Sequence, residues 1–225
     1  MELFEAIRTT RAMRRLDPNR PVPEEDIWTI LEAASKAATG GNAQPVRWLV
    51  VTDADKRARL GDIYRECWRP VRELYASRES DETTARVLRS ADHLGDHMGD
   101  APVLIIPASK GGDPASVFPG VQNLFLAARA LGLGTTLTTV HRTKEDEVRA
   151  VLDIPADVHT WAMIPVGYPT GVWGEAARRP VEEITYWESW RAVRTRPGGC
   201  PTPWGERPRS SVSCALRPRR VVFLP

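Results

Sequence analysis

The sequence lacks the features that would assign it to several large classes of protein. Its three cysteines, Cys67, Cys200 and Cys214, have neither zinc-ligand spacing nor a Cys-x-x-Cys pair, so we expect free thiols in a reducing compartment. No apolar run approaches the length of a membrane helix, and the first residues carry no apolar signal core. These absences predict a cytoplasmic protein without membrane association.

A large excess of charge is also missing. The formal net charge of +2 is too small to attract nucleic acid to the molecule as a whole, so any basic site must be local. The hydrophobic content of 42% and the charged content of 27% are ordinary for a globular protein. A length of 225 residues suits one large domain or two small ones.

Known catalytic motifs are absent as well. The sequence has no Gly-x-Gly-x-x-Gly fingerprint, no P-loop, and no serine or cysteine in a nucleophile motif. His93 and His97 have the spacing of a metal-binding pair on a helix, but no third ligand is evident, so surface histidines are favoured over a metal site. An enzyme with this sequence therefore needs a cofactor for its chemistry, and we predict neither a catalytic side chain nor a metal.

Helical and strand patterns alternate along the chain and predict a single α/β or α+β domain. The predicted helices cover residues 2–9, 23–38, 53–68, 116–131 and 143–152, the last with Thr143 and Asp146 as a weak capping box. The predicted strands cover residues 47–52, 102–108, 134–139 and 159–167. The charged stretch 79–100 favours a solvated helix with loops over a mobile lid.

The end of the chain differs in composition from the rest. Residues 196–225 contain six arginines, six prolines, no lysine and one acid, Glu206. Such a composition buries little apolar surface, so we expect residues 191–225 to form a disordered basic tail after a domain of residues 1–190. A basic tail that binds nucleic acid is one interpretation. A non-native C-terminus, read from a shifted frame, is the interpretation that the abrupt change favours.

Four short stretches have the chemistry of a site for a phosphorylated, ring-bearing cofactor. The stretch RTTRAMRRLD contributes Arg8, Arg11, Arg14 and Arg15, and a phosphate takes two or three such donors. TGGNAQP contributes glycines for close backbone approach and side-chain amides at Asn42 and Gln44. GTTLTT contributes hydroxyl groups, and GEAARRP contributes a second arginine pair. On the first stretch alone, a solvated arginine run is the simpler interpretation.

In this order, the stretches resemble the FMN-dependent nitroreductase family, in particular its small actinobacterial-type members. The resemblance runs from RTTRAMRRLDPNRPVPEEDI through AASKAATGGNAQPVRWLVV and SVFPGVQNLFLAARALGLGTTLTT to IPVGYPTG and ARRPVEE, about residues 2–190. It implies an α+β fold of three layers, in which helices flank a central mixed β-sheet. It also implies a homodimer with two FMN sites at the subunit interface.

The resemblance implies a cofactor-binding role for twelve residues. The arginine-rich motif, which holds the FMN phosphate and ribityl chain, corresponds to Thr10, Arg11, Ala12, Met13 and Arg14. The loop that reaches the partner subunit's flavin corresponds to Thr39, Asn42 and Gln44. The strand beside the flavin N5 and O4 edge corresponds to Leu137, Thr138 and Thr139, and the late phosphate-binding residue to Arg178.

The sequence departs from the family pattern at several of these positions. Thr10 stands where the family has an arginine, Ala12 where it has a serine, and Ala38-Thr39 where it has Pro-Ser. Arg11, Arg14 and Arg178 remain to neutralise a phosphate of about two negative charges. We therefore expect FMN binding to be retained in a weakened form.

The function implied is ping-pong electron transfer from NAD(P)H through FMN to an electron-poor acceptor such as a nitroaromatic, a quinone or a flavin. Two alternatives share the fold: a specialised enzyme of the reductive dehalogenase or flavin-destroying type, and a flavin-sequestering protein without turnover. Nucleic-acid binding by the basic tail is a third alternative. The resemblance instead implies a small-molecule electron acceptor and no nucleic-acid partner. The sequence does not distinguish NADH from NADPH or a deazaflavin donor.

Overall fold

A computed structural model describes residues 1–76, 82–111 and 113–194 of the chain. Its α-helices are α1 (Leu3–Thr9), α2 (Glu24–Ser35), α3 (Ala54–Ala76), α4 (Glu82–His97), α5 (Phe118–Ala130) and α6 (Glu145–Leu152). Its strands are β1 (Arg47–Val51), β2 (Val103–Lys110), β3 (Gly134–Thr135), β4 (Val158–Thr160) and β5 (Ile164–Gly167). Most of the predicted tail, residues 195–225, lies outside the described residues.

The strands form one sheet around β2, in the order β1-β2-β5-β3, with β4 paired to the far end of β2. All pairs of named strands are antiparallel; Leu49 faces Ile106, and Ile105 faces Ile164. Parallel pairing occurs at an isolated bridge between Ala12 and Thr135. The arginine-rich segment is thus attached to the β3 edge of the sheet.

Helices cover both faces of the sheet, because the side chains of β2 are apolar on both faces. Val103 and Ile105 belong to one buried cluster, which includes residues of α2 and α5. Leu104 and Ile106 point the other way into a second cluster, which includes residues of α3, α4 and α6. Because alternate side chains of a strand face opposite sides, a strand that is apolar throughout needs a layer on each side. The predicted α+β fold with three layers is confirmed.

Several element boundaries differ from the prediction. The predicted strand 134–139 is wrong after Thr135, because Thr138 makes only an isolated bridge, to Met163. The predicted strand 159–167 is interrupted between β4 and β5. The predicted capping box is also wrong, because a 3₁₀-helix precedes α6 and the Thr143 hydroxyl donates to the carbonyl of Val140.

The long apolar helix α5 is a core helix of its own chain. Val117, Val121, Leu124 and Ala128 lie in the cluster that α5 shares with α2 and the sheet, and Leu124 is fully buried. An apolar sequence therefore reflects burial within the chain at these positions, and not a surface reserved for a partner subunit.

Two compact units are distinguished along the chain, residues 1–177 and 178–225. In the second, the described part contains a 3₁₀-helix (Val181–Ile184), and the Arg194 guanidinium lies 4.5 Å from the ring centroid of Trp187. The predicted domain boundary after residue 190 falls inside this unit and stays a prediction. No helix among the described residues has the length and apolar character needed to cross a membrane.

Candidate functional site

The arginine-rich segment runs beside β3 and the end of β5. The Met13 N–H donates to the carbonyl of Thr135 at 2.9 Å, and the Asp17 N–H donates to the carbonyl of Tyr168 at 2.8 Å. Between them, the Thr170 N–H donates to the carbonyl of Arg15 at 3.0 Å. These backbone hydrogen bonds fix the path of residues 13–17 along the edge of the sheet.

Gly134 permits this close approach. A Cβ at Gly134 would stand 2.8 Å from the Cβ of Met13 and 3.1 Å from a methyl carbon of Leu16. Real Cβ atoms essentially never come this close to another carbon, so any side chain at position 134 would displace the segment.

The four arginines of the segment diverge rather than gather at one point. Arg8 forms an ion pair with Glu175, and Arg15 lies 3.1 Å from the Nδ1 atom of His93. Arg11 is exposed near Gly174, whereas Arg14 is half-buried and faces a cavity. Charge in the segment is therefore divided between surface contacts and one interior position.

The cavity next to Arg14 has a volume of about 320 Å³ and lies between α3, α4 and the segment after β3. Its polar groups include the Arg14 guanidinium and the hydroxyls of Tyr64 and Thr138. No carboxylate is found among its described lining residues. The other walls are largely apolar and include Trp68, Val71, Tyr75, Val87, Leu88, Ala91, Leu94 and Leu137.

Tyr64 and Thr138 form a buried pair at the polar end of this cavity. Their hydroxyl oxygens are 3.1 Å apart, and the side chains are 3% and 8% exposed. Burial raises the pKa of Tyr64 above its usual value near 10, although the hydrogen bond to Thr138 and the charge of Arg14 oppose this. Burial also lowers the pKa of Arg14. The phenol of Tyr64 is therefore neutral at physiological pH and carries its proton.

The predicted partner-facing loop lies at a different cavity. Thr39 and Gln44 line a space of about 190 Å³ with residues from α2, β1 and the start of α5. The Thr39 hydroxyl accepts a hydrogen bond from the Gln44 N–H at 3.0 Å. Asn42 and Gln44 have φ angles of 54° and 48°, a left-handed conformation that asparagine tolerates better than most residues. This loop is held away from the Arg14 cavity within the same chain.

The remaining predicted site residues lie in several environments. Ala12 is exposed, Met13 is buried, and Thr139 is exposed at the start of the 3₁₀-helix (Val140–Lys144). Arg178 is exposed and belongs to the second unit. Of the twelve residues, Arg14, Leu137 and Thr138 are brought together at one cavity.

The walls that α3 and α4 contribute to this cavity were not predicted from the sequence. Tyr64 falls within the predicted helix 53–68 and was not predicted as a site residue, and the charged stretch 79–100 was predicted to be a solvated helix with loops. In α4, Leu88, Ala91 and Leu94 recur at helical spacing, and this pattern is the signal that the prediction did not use.

The histidine pair and the arginine segment were considered from the sequence as a metal site and a phosphate site. The rings of His93 and His97 are in tilted contact, with centroids 4.3 Å apart, and the described part of the chain contains no group of three or more potential metal ligands. At the arginine segment, the Thr10 hydroxyl oxygen is buried without a hydrogen-bond partner. No described carboxylate lies within ion-pair distance of Arg11 or Arg14.

These groups fit an anionic, ring-bearing cofactor. Uncompensated guanidinium groups and an unsatisfied hydroxyl are the donors that a phosphate takes up. The cavity beyond Arg14 supplies apolar walls and hydroxyl donors for a flat ring. The residues present are therefore compatible with FMN.

Comparison with known proteins places this geometry among flavoproteins. The sequence pattern of the Nitroreductase family matches residues 7–168. The 5,6-dimethylbenzimidazole synthase of Rhodospirillum rubrum is 30% identical over 181 residues, which cover 74% of this chain and 80% of that protein.

Solved structures show the same fold. Oxidised iodotyrosine deiodinase bound to FMN and 3-iodo-L-tyrosine is 26% identical, with a TM-score of 0.67 over 84% of this chain and 100% of that chain. A point mutant of an FMN- and NADPH-dependent nitroreductase from sphigopyxis sp. strain HMH has the same TM-score at 20% identity, over 84% of this chain and 100% of that chain.

Proposed function

The chain belongs to the nitroreductase family, and we propose that it is an FMN-dependent oxidoreductase that transfers electrons from NAD(P)H to an uncharged, electron-poor aromatic acceptor. The observation that carries the proposal is the cavity where Arg14 of the arginine segment meets Tyr64 of α3 and Thr138 of the segment after β3. Family members perform several different flavin reactions, so the choice among them depends on this cavity.

On the cofactor side, Arg11 and Thr10 would bind the FMN phosphate. The phosphate-binding role that the resemblance implies for Arg178 stays a prediction. Exposure of Arg11 and the unsatisfied Thr10 hydroxyl support this role. Arg14, Leu137 and Thr138 would line the ring. Bound FMN would supply the redox chemistry, accepting electrons from the nicotinamide and passing them to the acceptor. The protein would supply neutralisation of the phosphate, orientation of the ring and exclusion of water.

On the acceptor side, the walls from α3 and α4 favour an uncharged ring. Trp68, Val87 and Leu88 offer apolar contact, and Arg14 is the charged group among the described lining residues. A zwitterionic amino acid such as the 3-iodo-L-tyrosine of the deiodinase structure also needs a carboxylate for its ammonium group, because an unpaired buried charge is costly. Nitroaromatics and quinones match the cavity better.

We propose a homodimer in which the loop of Thr39, Asn42 and Gln44 serves the site of the partner subunit. The support is that this loop lines a separate cavity of its own chain. Helix α1 also exposes an apolar face, with Leu3 60% and Ile7 42% exposed, and exposed apolar patches mark interaction surfaces.

The proposal is tested by single-turnover measurements under anaerobic conditions. NADH or NADPH should bleach the absorbance of the bound flavin, and a quinone such as menadione added afterwards should restore it. Bound flavin that neither nucleotide reduces would instead support a flavin-sequestering protein or a different electron donor. Restoration by 3-iodo-L-tyrosine but not by menadione would support the dehalogenase alternative.

A further inference from the structure

Thr138 is a polar residue of the cavity whose backbone and side chain are both held by hydrogen bonds. Its carbonyl accepts from the Met163 N–H at 2.9 Å, which holds the backbone of Thr138 against the sheet. Its hydroxyl oxygen accepts from the Val140 N–H at 3.4 Å and lies 3.1 Å from the hydroxyl of Tyr64. A threonine hydroxyl can accept two hydrogen bonds and donate one, so its remaining capacity depends on Tyr64.

The Tyr64–Thr138 pair contains two protons and one mutual hydrogen bond. Since burial keeps the phenol protonated, Tyr64 has a proton to donate, and a phenol is a stronger donor than an aliphatic alcohol. When Tyr64 and Val140 both donate to Thr138, the acceptor positions of its oxygen are filled. The hydroxyl proton of Thr138 must then point away from both Tyr64 and the Val140 N–H.

The surroundings leave the cavity as the direction for that proton. The charged neighbour of the pair, Arg14, has only donor groups and accepts no hydrogen bond. We infer that Tyr64 is a positioning residue, which fixes Thr138 as a hydrogen-bond donor to a ring bound in the cavity. This inference rests on the proposed function, in which that ring is the flavin.

A fixed donor has a measurable consequence for a bound flavin. Reduction adds electron density to the nitrogen and oxygen atoms of the ring, so a hydrogen-bond donor stabilises the reduced form more than the oxidised form. Tyr64 would thus raise the preference of the protein for reduced over oxidised FMN through its hydrogen bond to Thr138. An apolar residue in its place would leave one acceptor position of the Thr138 oxygen empty, so the hydroxyl would no longer be held in one orientation.

The test compares how strongly each variant prefers reduced FMN over oxidised FMN. This ratio of affinities follows from the midpoint potentials of bound and free FMN. The variants form a double-mutant cycle of Tyr64 and Thr138. We expect Tyr64→Phe to lower this ratio about tenfold, the worth of one ordinary hydrogen bond. Thr138→Val should lower it at least as much, and the double variant should match Thr138→Val alone, because Tyr64 acts through Thr138. Thr138→Ser, which keeps the hydroxyl, should behave like the wild type and also shows that the position tolerates substitution.

Tyr168→Phe is the matched control, since it removes a phenol hydroxyl at a partly buried residue that is not among the described lining residues of this cavity. It should leave the ratio unchanged. Additive effects of the two single variants, or an unchanged ratio in Tyr64→Phe, would overturn the inference while leaving the proposed function intact. A wild-type protein that binds no flavin would overturn both.

Discussion

The N–H of Met13 donates to the carbonyl of Thr135 at 2.9 Å, and this hydrogen bond joins the arginine segment to the edge of the sheet. Three residues after Thr135, the chain presents Thr138 to the cavity, and one residue after Met13 it presents Arg14. The site is therefore assembled by backbone pairing between two segments that are far apart in sequence.

Replacement of Gly134 tests this pairing. Gly134→Ala should destabilise the protein by about 1–3 kcal/mol, because the new Cβ overlaps the Cβ of Met13. It should also weaken FMN binding, since Arg11 and Arg14 move with the segment. Gly171→Ala is the control, as nothing lies within 4 Å of the added carbon. Urea unfolding and flavin titration of both variants provide the measurements, and equal stability of the two would contradict the pairing model.

A buried histidine should make the protein sensitive to acid. His141 is fully buried, and burial lowers its pKa from 6.5 to about 4, against the opposing charge of Glu145. The unfolded chain then binds more protons than the folded one between these two pH values, so stability falls as the pH falls from 6.5 to 4. The loss attributable to His141 is about 3 kcal/mol.

His141→Gln should remove this part of the pH dependence, whatever its effect on stability at pH 7. The measurement is the free energy of unfolding in urea at several pH values between 4 and 7. Parallel pH profiles for wild type and His141→Gln would show that His141 is not the acid-sensitive group.

Much of the fold was predictable from local pattern. The spacing of Ile27, Ile30 and Ala34 predicted α2, and the apolar run before Ala108 predicted β2. The prediction of a strand over residues 134–139 was wrong after Thr135. Threonines favour the strand conformation, but the length of a strand depends on the residues that pair with it. Among the named strands, β5 pairs only with Gly134 and Thr135 of this stretch.

The cofactor side of the candidate site was predicted through resemblance, and its helical walls were not. Tyr64 looks in sequence like one more apolar position of α3, and only the tertiary structure brings its hydroxyl to Thr138. The sequence of α5 is ambiguous in a similar way, since an apolar helix buried in its own chain and one buried against a partner have the same sequence pattern.

Charge in the cavity should govern the choice of acceptor. Val87→Glu introduces a carboxylate into the apolar wall and should raise the KM for menadione about tenfold or more, because the carboxylate and its hydration oppose binding of an apolar ring. Leu74→Glu is the control, a similar substitution at a residue that is 43% exposed and is absent from the described cavity lining. Steady-state kinetics with constant flavin occupancy gives the comparison. Equal KM values would place the acceptor elsewhere.

The exposed face of α1 should contribute to the homodimer. Ile7→Glu places a charge on that face and should shift the protein towards monomers, with a loss of flavin if the partner's loop completes the site. Trp28→Glu, on a residue of α2 that is 65% exposed, is the control. Sedimentation velocity at several concentrations distinguishes the species. A wild-type monomer that retains FMN would contradict the shared site.

The central claim is that the arginine segment binds the phosphate of FMN, and titration with FMN and with riboflavin tests it most directly. We predict that FMN binds to the wild-type protein with a change in the flavin absorbance spectrum and a rise in Tm. Arg11→Ala should weaken FMN binding about ten- to a hundredfold, the worth of a charge-assisted hydrogen bond, with little effect on riboflavin, which lacks the phosphate. Arg8→Ala, at an arginine already paired with Glu175, should leave both affinities unchanged. Equal losses for FMN and riboflavin in Arg11→Ala, or a wild-type protein that shows no spectral or thermal change at saturating FMN, would contradict the claim.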